Sequence, residues 1–208
     1  MSGTSKIDEI VQRIREAQQD LEDELDRLLE EKREEFQYTV RRGRVVFEQR
    51  VKQLQRSQRI GLLRYVISAP FAYLLSAPII YGMVIPLALL DLTITIYQQL
   101  CFRIYGIPRV RRSDYLVIDR QHLDYLNAVE KLNCVYCGYG NGVIAYAREI
   151  TARTEQFWCP IKHAQRARGA HHRTEAFFDY GDVAAYRDGL QKIRRDWPES
   201  TAQEKESD

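Results

Sequence analysis

Between Val66 and Phe102 the chain reads VISAPFAYLLSAPIIYGMVIPLALLDLTITIYQQLCF, thirty-seven residues with a single charge, Asp91. A soluble core helix is neither this long nor this uniformly apolar, so the segment belongs in lipid. As one straight helix it would run about 55 Å, against a hydrocarbon core of about 30 Å, and so it must fold or tilt. Pro70, Pro78 and Pro86 recur every eight residues, two of them within the repeat SAPFAY and SAPIIY, and Gly82 is the one glycine. Folding near Tyr81 and Gly82 gives two arms of about 19 and 20 residues, each just able to cross. The apolar sequence YGMV at the bend leaves two alternatives open. One is a hairpin that enters the bilayer without emerging. The other is a single span from about Val66 to Leu90. Asp91 is either a functional intramembrane carboxyl or a helix cap or interhelical hydrogen-bond partner.

Both flanks are basic. Arg41, Arg42, Arg44, Arg50, Lys52, Arg56, Arg59 and Arg64 stand against Glu48 on one side, and Arg103, Arg109, Arg111 and Arg112 follow on the other. Basic runs can neutralise nucleic-acid phosphates. Beside an apolar segment they are what the positive-inside rule and anionic headgroups select, so no nucleic-acid partner is expected. The reading is a bacterial inner-membrane protein with both termini cytoplasmic. The N-terminus is polar, without a secretory signal. The net charge of +2 hides this segmentation.

Upstream, Ile7, Ile10, Ile14, Ala17, Leu21 and Leu28 fall on a heptad with Glu24 and Glu31 as polar breaks, and Phe36, Val40, Gly43, Phe47 and Leu54 continue it after a phase shift. A coiled-coil-like helix continuous to about Leu63 would reach roughly 85 Å. It either self-associates, docks a partner protein or folds back on the chain's own body.

Downstream, Tyr115 to Arg120 reads as a strand, and His122 to Leu132, Val143 to Trp158 and Asp182 to Trp197 read as helices. Between the second and third elements lies CVYCGYGNG, residues 134 to 142. Cys134 and Cys137 precede the helix, and Cys159 with His163 follows it. Two thiolates two residues apart on a glycine turn, completed by a second pair, make a Cys3His set for zinc, with iron as the alternative. Reaching one ion requires the glycine segment to fold back along the helix or the helix to break. A redox dithiol at Cys134 and Cys137 and ordinary reduced thiols remain alternatives. His171 and His172 read as a solvated basic loop, and Glu149 and Glu155 fall on different faces, which makes a poor catalytic pair. No phosphate-binding glycine signature and no hydrolase triad is present.

Cys134-Val-Tyr-Cys137-Gly138-Tyr139 resembles the first knuckle of rubredoxins and zinc ribbons, and Cys159-Pro160 the start of the second, with His163 where those families place a cysteine one residue earlier. The array from the SAP repeats through SDYLVIDR, EKLNCVYCGYGNGVIAY and ARTEQFWCPIKHA resembles a family of uncharacterised bacterial membrane proteins, a resemblance that implies no activity. The expected fold is therefore mainly α. It has a helix over 1–61, a membrane-embedded hairpin over 62–102, a small, mostly helical, metal-binding domain over 103–198 and a disordered tail over 199–208. The expected function is that of a membrane scaffold or interaction protein that forms homo-oligomers. A membrane-anchored redox, electron-transfer or metal-handling protein is the alternative.

Overall fold

The computed structural model describes residues 2–36, 38–41, 44–47, 49–165 and 167–197, so the expected tail lies outside the described residues. The chain is mainly helical and divides into two compact units, Met1–Arg64 with Asp119–Val129, and Tyr65–Ile118 with Glu130–Asp208.

The first unit opens with α1, Ser2–Glu35. The expected helix to Leu63 is not made. After Glu35 come antiparallel strands β1, Tyr38–Arg41, and β2, Arg44–Phe47, with Tyr38 opposite Phe47 and Arg41 opposite Arg44, and then α2, Gln49–Ser57. The signal was present in Tyr38-Thr39-Val40 and Val45-Val46-Phe47, β-branched and aromatic residues that favour a pleated surface over a helix. The rings of Tyr38 and Phe47 meet at 5.5 Å across the pair. Within the same unit Gln55 Oε1 accepts from the Asp124 amide at 3.0 Å, and Arg56 Nε donates to Asp124 at 3.2 Å.

The second unit begins at Tyr65, within α3, Leu62–Ser68, and that helix breaks at Ala69 and Pro70. Then α4, Phe71–Gly82, and α5, Val84–Tyr97, run into a π-turn, Gln98–Phe102, and α6, Arg103–Tyr105. Together they are one helical run of 35 residues, Phe71–Tyr105. No hairpin forms at Tyr81 and Gly82, because Met83 keeps helical angles (φ −64°, ψ −13°) and its amide still donates to Ile80 O at 3.2 Å. A bend in YGMV would strip the backbone of these bonds with no polar side chain to replace them. Pro78 sits inside α4, where Ser76 Oγ donates to Tyr73 O at 3.0 Å. Gly106, at φ 69°, ends the run, and the Ile107 amide reaches back to Phe102 O at 2.9 Å. That is the left-handed glycine stop that satisfies orphan carbonyls.

The chain then returns as irregular backbone rather than the expected strand, with 3₁₀ turns at Arg112–Asp114 and Arg120–His122. Asn127 Oδ1 accepts from the Val129 amide at 3.0 Å and so opens α7, Ala128–Trp158. The last helix, α8, Val183–Ile193, is capped by Asp182 Oδ1 on the Ala185 amide at 2.9 Å.

In the second unit α7 runs parallel to the apolar helix. Tyr81 hydroxyl bonds Asn133, Tyr139 hydroxyl donates to Asp91 at 3.1 Å, and Tyr97 hydroxyl meets Thr154 Oγ1 at 3.0 Å. Partner numbers rise together along both helices. The return segment doubles back between these levels, from Pro108 O beside Arg153 to Tyr115 and Leu116 beside Gly142. Phe102, Ile107, Val110, Tyr146, Ile150 and Trp197 form the buried core.

Candidate functional site

CVYCGYGNG is not a turn. All nine residues lie inside α7, where glycine is a poor helix former but the only side chain that admits another backbone at contact distance. A Cβ on Gly142 would stand 2.8 Å from Tyr115 O and 3.0 Å from Leu116 Cα. One on Gly140 would stand 3.2 Å from Leu87 Cδ1. The glycines let the apolar helix and the return segment close on α7.

The same helix separates the expected metal ligands. Cys134 is half-buried and Cys137 exposed, neighbours one turn apart near its start, whereas Cys159 and His163 are exposed beyond its end. At 1.5 Å per residue the two pairs stand roughly 35 Å apart, so they do not fit a single tetrahedral Cys3His centre. Among the described residues no three His, Cys, Asp or Glu side chains converge as a metal group. Cys101 is half-buried in the π-turn.

Beyond the middle of α7 lies a charged core that the sequence analysis missed. Glu149 Oε1 accepts from Arg153 Nε at 2.8 Å and from Arg173 Nη2 at 2.7 Å, and all three residues are buried. Arg173 Nη1 also donates to Gln156 at 2.9 Å, and Gln156 Nε2 donates to Asp196 O at 2.7 Å. Burial pushes the Glu149 carboxyl up, but the hydrogen bonds from Arg153 and Arg173 outweigh it and hold the group below the usual carboxylate range. Glu155 pairs instead with His171 Nε2 at 2.7 Å. His171 is therefore half-buried and partnered rather than solvated, while His172 is exposed. The visible signal was the four-residue spacing of Glu149 and Arg153. The arrival of Arg173 from a distant loop had none.

Where the apolar helix ends, the return segment encloses a cleft of about 1060 Å³ against the π-turn. Gln98, only 2% exposed, anchors it: its Oε1 accepts from the Val110 amide at 3.0 Å, its Nε2 donates to Val110 O at 3.3 Å, and the same nitrogen bonds the Tyr146 hydroxyl. Arg112 forms a two-pronged pair with Asp91 at 2.9 and 2.6 Å, so Asp91 is an interhelical and loop-anchoring partner. Arg103, Arg109, Arg111 and Arg112 line the cleft, and no carboxylate does. The arrangement is an arginine-lined cleft on a braced floor. No family model matches the chain, and no curated protein and no solved structure matches it.

Proposed function

We propose that the chain is an integral membrane scaffold, held in the cytoplasmic leaflet of a bacterial inner membrane by the apolar helix and presenting α1 for self-association. One observation carries the membrane reading. The run Phe71–Tyr105 is the one described helix long and apolar enough to cross a bilayer, with a mean hydropathy of 2.1 in its most apolar window and no residue of that window buried. Protein packing leaves this surface uncovered, and lipid covers it at no desolvation cost.

Insertion without a full crossing agrees with the rest of the unit. Leu89, Leu92, Ile96, Leu100 and Ile104 continue one exposed stripe at helical spacing, while the opposite face is taken by α7. A perpendicular crossing by Phe71 to Leu90 would carry Asn133 and the packed start of α7 to the middle of the hydrocarbon. Arginines flank both ends of the helix, and a helix lying in the leaflet keeps both flanks on one face. The chain should stay in the membrane pellet after carbonate extraction. Protease should cleave α1 in inverted vesicles and leave it intact in spheroplasts. Release by carbonate, or cleavage of α1 from the outer face, would refute this placement.

The self-association proposal rests on α1, where every described side chain from Glu16 to Phe36 is exposed. Leu21 is 69% exposed, Leu25 54% and Leu28 42%, an apolar seam between charged faces. A second copy of the helix is the partner that such a seam fits. Leu21→Glu with Leu28→Glu should weaken association at least about tenfold in analytical ultracentrifugation of the detergent-solubilised chain. An unchanged oligomer would remove α1 from the interface.

A further inference from the structure

The arginine cleft has more charge than its own residues neutralise. Asp91 pairs with Arg112, and Asp114 Oδ2 accepts from Arg111 Nε at 3.2 Å. Arg109 Nη1 donates to the neutral Gln99 Oε1, at 2.8 Å, and among the described residues neither Arg109 nor Arg103 has a carboxylate partner. Two positive charges thus face a cleft whose polar lining also offers the hydroxyl of Ser113. Guanidinium groups present paired N–H donors in a plane, the arrangement that grips two oxygens of one tetrahedral anion.

The backbone carrying these arginines is braced by hydrogen bonds. Gln98 ties Val110 from both sides, Gly106 fixes the turn into the return segment, and Arg153 Nη1 donates to Pro108 O at 2.8 Å. Preorganised donors bind an anion without first paying for their own ordering. On the outer face of the same helical turns, Leu100 is 62% exposed and Ile104 77%. Charge and exposed apolar surface therefore adjoin within a few residues, as the two ends of a phospholipid do.

We propose that this cleft binds the phosphate of a phosphate ester, with Arg103 and Arg109 as its principal contacts and Arg111, Arg112 and Ser113 at its rim. The shared chemistry is a phosphate group with at least two free oxygens. An anionic phospholipid headgroup and a soluble phosphate ester both supply it, and the lipid source rests on the membrane placement proposed above.

The test uses the full chain in an uncharged detergent, with ligand occupancy read by native mass spectrometry. Phosphatidylglycerol is titrated in one arm and sn-glycerol 3-phosphate in the other. Each is applied to the wild type, to R103Q/R109Q and to R168Q/R187Q, a control pair of exposed arginines outside the cleft and away from the apolar helix in sequence. Losing two charge-assisted contacts should weaken binding at least about tenfold in the cleft variant, with the control within about twofold. Near-ultraviolet circular dichroism checks that both variants keep the wild-type fold.

Phosphatidylglycerol binding without glycerol phosphate binding assigns the lipid source. Binding of both with similar affinity assigns a soluble ester, because the acyl chains then add nothing. Binding of neither, or binding that R103Q/R109Q leaves unchanged, overturns the proposal. The membrane placement fails separately: a chain released by carbonate that still binds phosphate through Arg103 and Arg109 would lose its membrane reading and keep this site.

Discussion

Glu149→Gln should destabilise the second unit by about 3 kcal/mol, because it leaves two buried guanidiniums without their shared counter-charge. The tryptophans report on this unit, since Trp158 ends α7 and the Trp197 ring lies 5.7 Å from Arg173. Denaturant unfolding of the detergent-solubilised chain, followed by their fluorescence, measures the loss. Arg173→Met should cost less when made in the Glu149→Gln background than alone, because the carboxylate it serves is already gone. Additive costs in that cycle would mean that the three groups do not act together.

The same network sets an acid limit. The folded carboxyl of Glu149 is depressed below its unfolded value of about 4.5, so its contribution is complete above that pH. It is lost as pH falls from about 4.5 through the depressed folded value, where protonation removes the counter-charge. Wild-type stability should therefore fall with acid in this window, and Glu149→Gln should flatten that part of the profile. A variant as acid-sensitive as the wild type would assign the loss to other groups.

Gly142→Ala is the second large effect, and its sign is the informative part. Helix propensity alone predicts a gain of about 1 kcal/mol, since alanine is the better helix former. The new methyl, however, would stand 2.8 Å from Tyr115 O and 3.0 Å from Leu116 Cα, atoms of a backbone held by Gln98, Arg112 and Arg153. Overpacking of that kind costs about 1–3 kcal/mol, so the net expectation is a loss of up to about 2 kcal/mol in place of the gain. Gly140→Ala meets only the tip of Leu87, which can rotate away, and should be close to neutral. A stabilised Gly142→Ala would show that the return segment does not close on α7 at this point.

Much of the architecture was legible from local sequence. The apolar run declared itself through length and uncharged composition, α1 through its heptad, and α8 through Asp182 and a helical period, because each signal lies within one element. The heptad signal continues past Glu35, but the β-branched and aromatic residues on either side of Arg42 and Gly43, two positions outside the described residues, favour paired strands over helix. Prolines and a glycine in an apolar segment signal bends, yet a helix in apolar surroundings keeps every backbone bond it can, and the run Phe71–Tyr105 stays helical.

The glycine and cysteine segment shows where sequence reading stops. Three glycines within five positions beside two thiols signal a turn when read alone, and Cys-x-x-Cys with Cys-x-x-x-His signals a metal. Both inferences assume that the intervening chain folds back. Tertiary structure decided otherwise: the apolar helix and the return segment press against α7 at Gly140 and Gly142, and that packing favours one unbroken helix holding the two ligand pairs apart. The sequence by itself determined the helices at α1 and α8, the segment long and apolar enough to cross a membrane and where the positive charge accumulates, since these follow from composition and period along the chain. Only the tertiary structure gathered Glu149, Arg153 and Arg173 into one core and Arg103, Arg109, Arg111 and Arg112 around one cleft, because those meetings depend on how the return segment and the loop before α8 come back to α7.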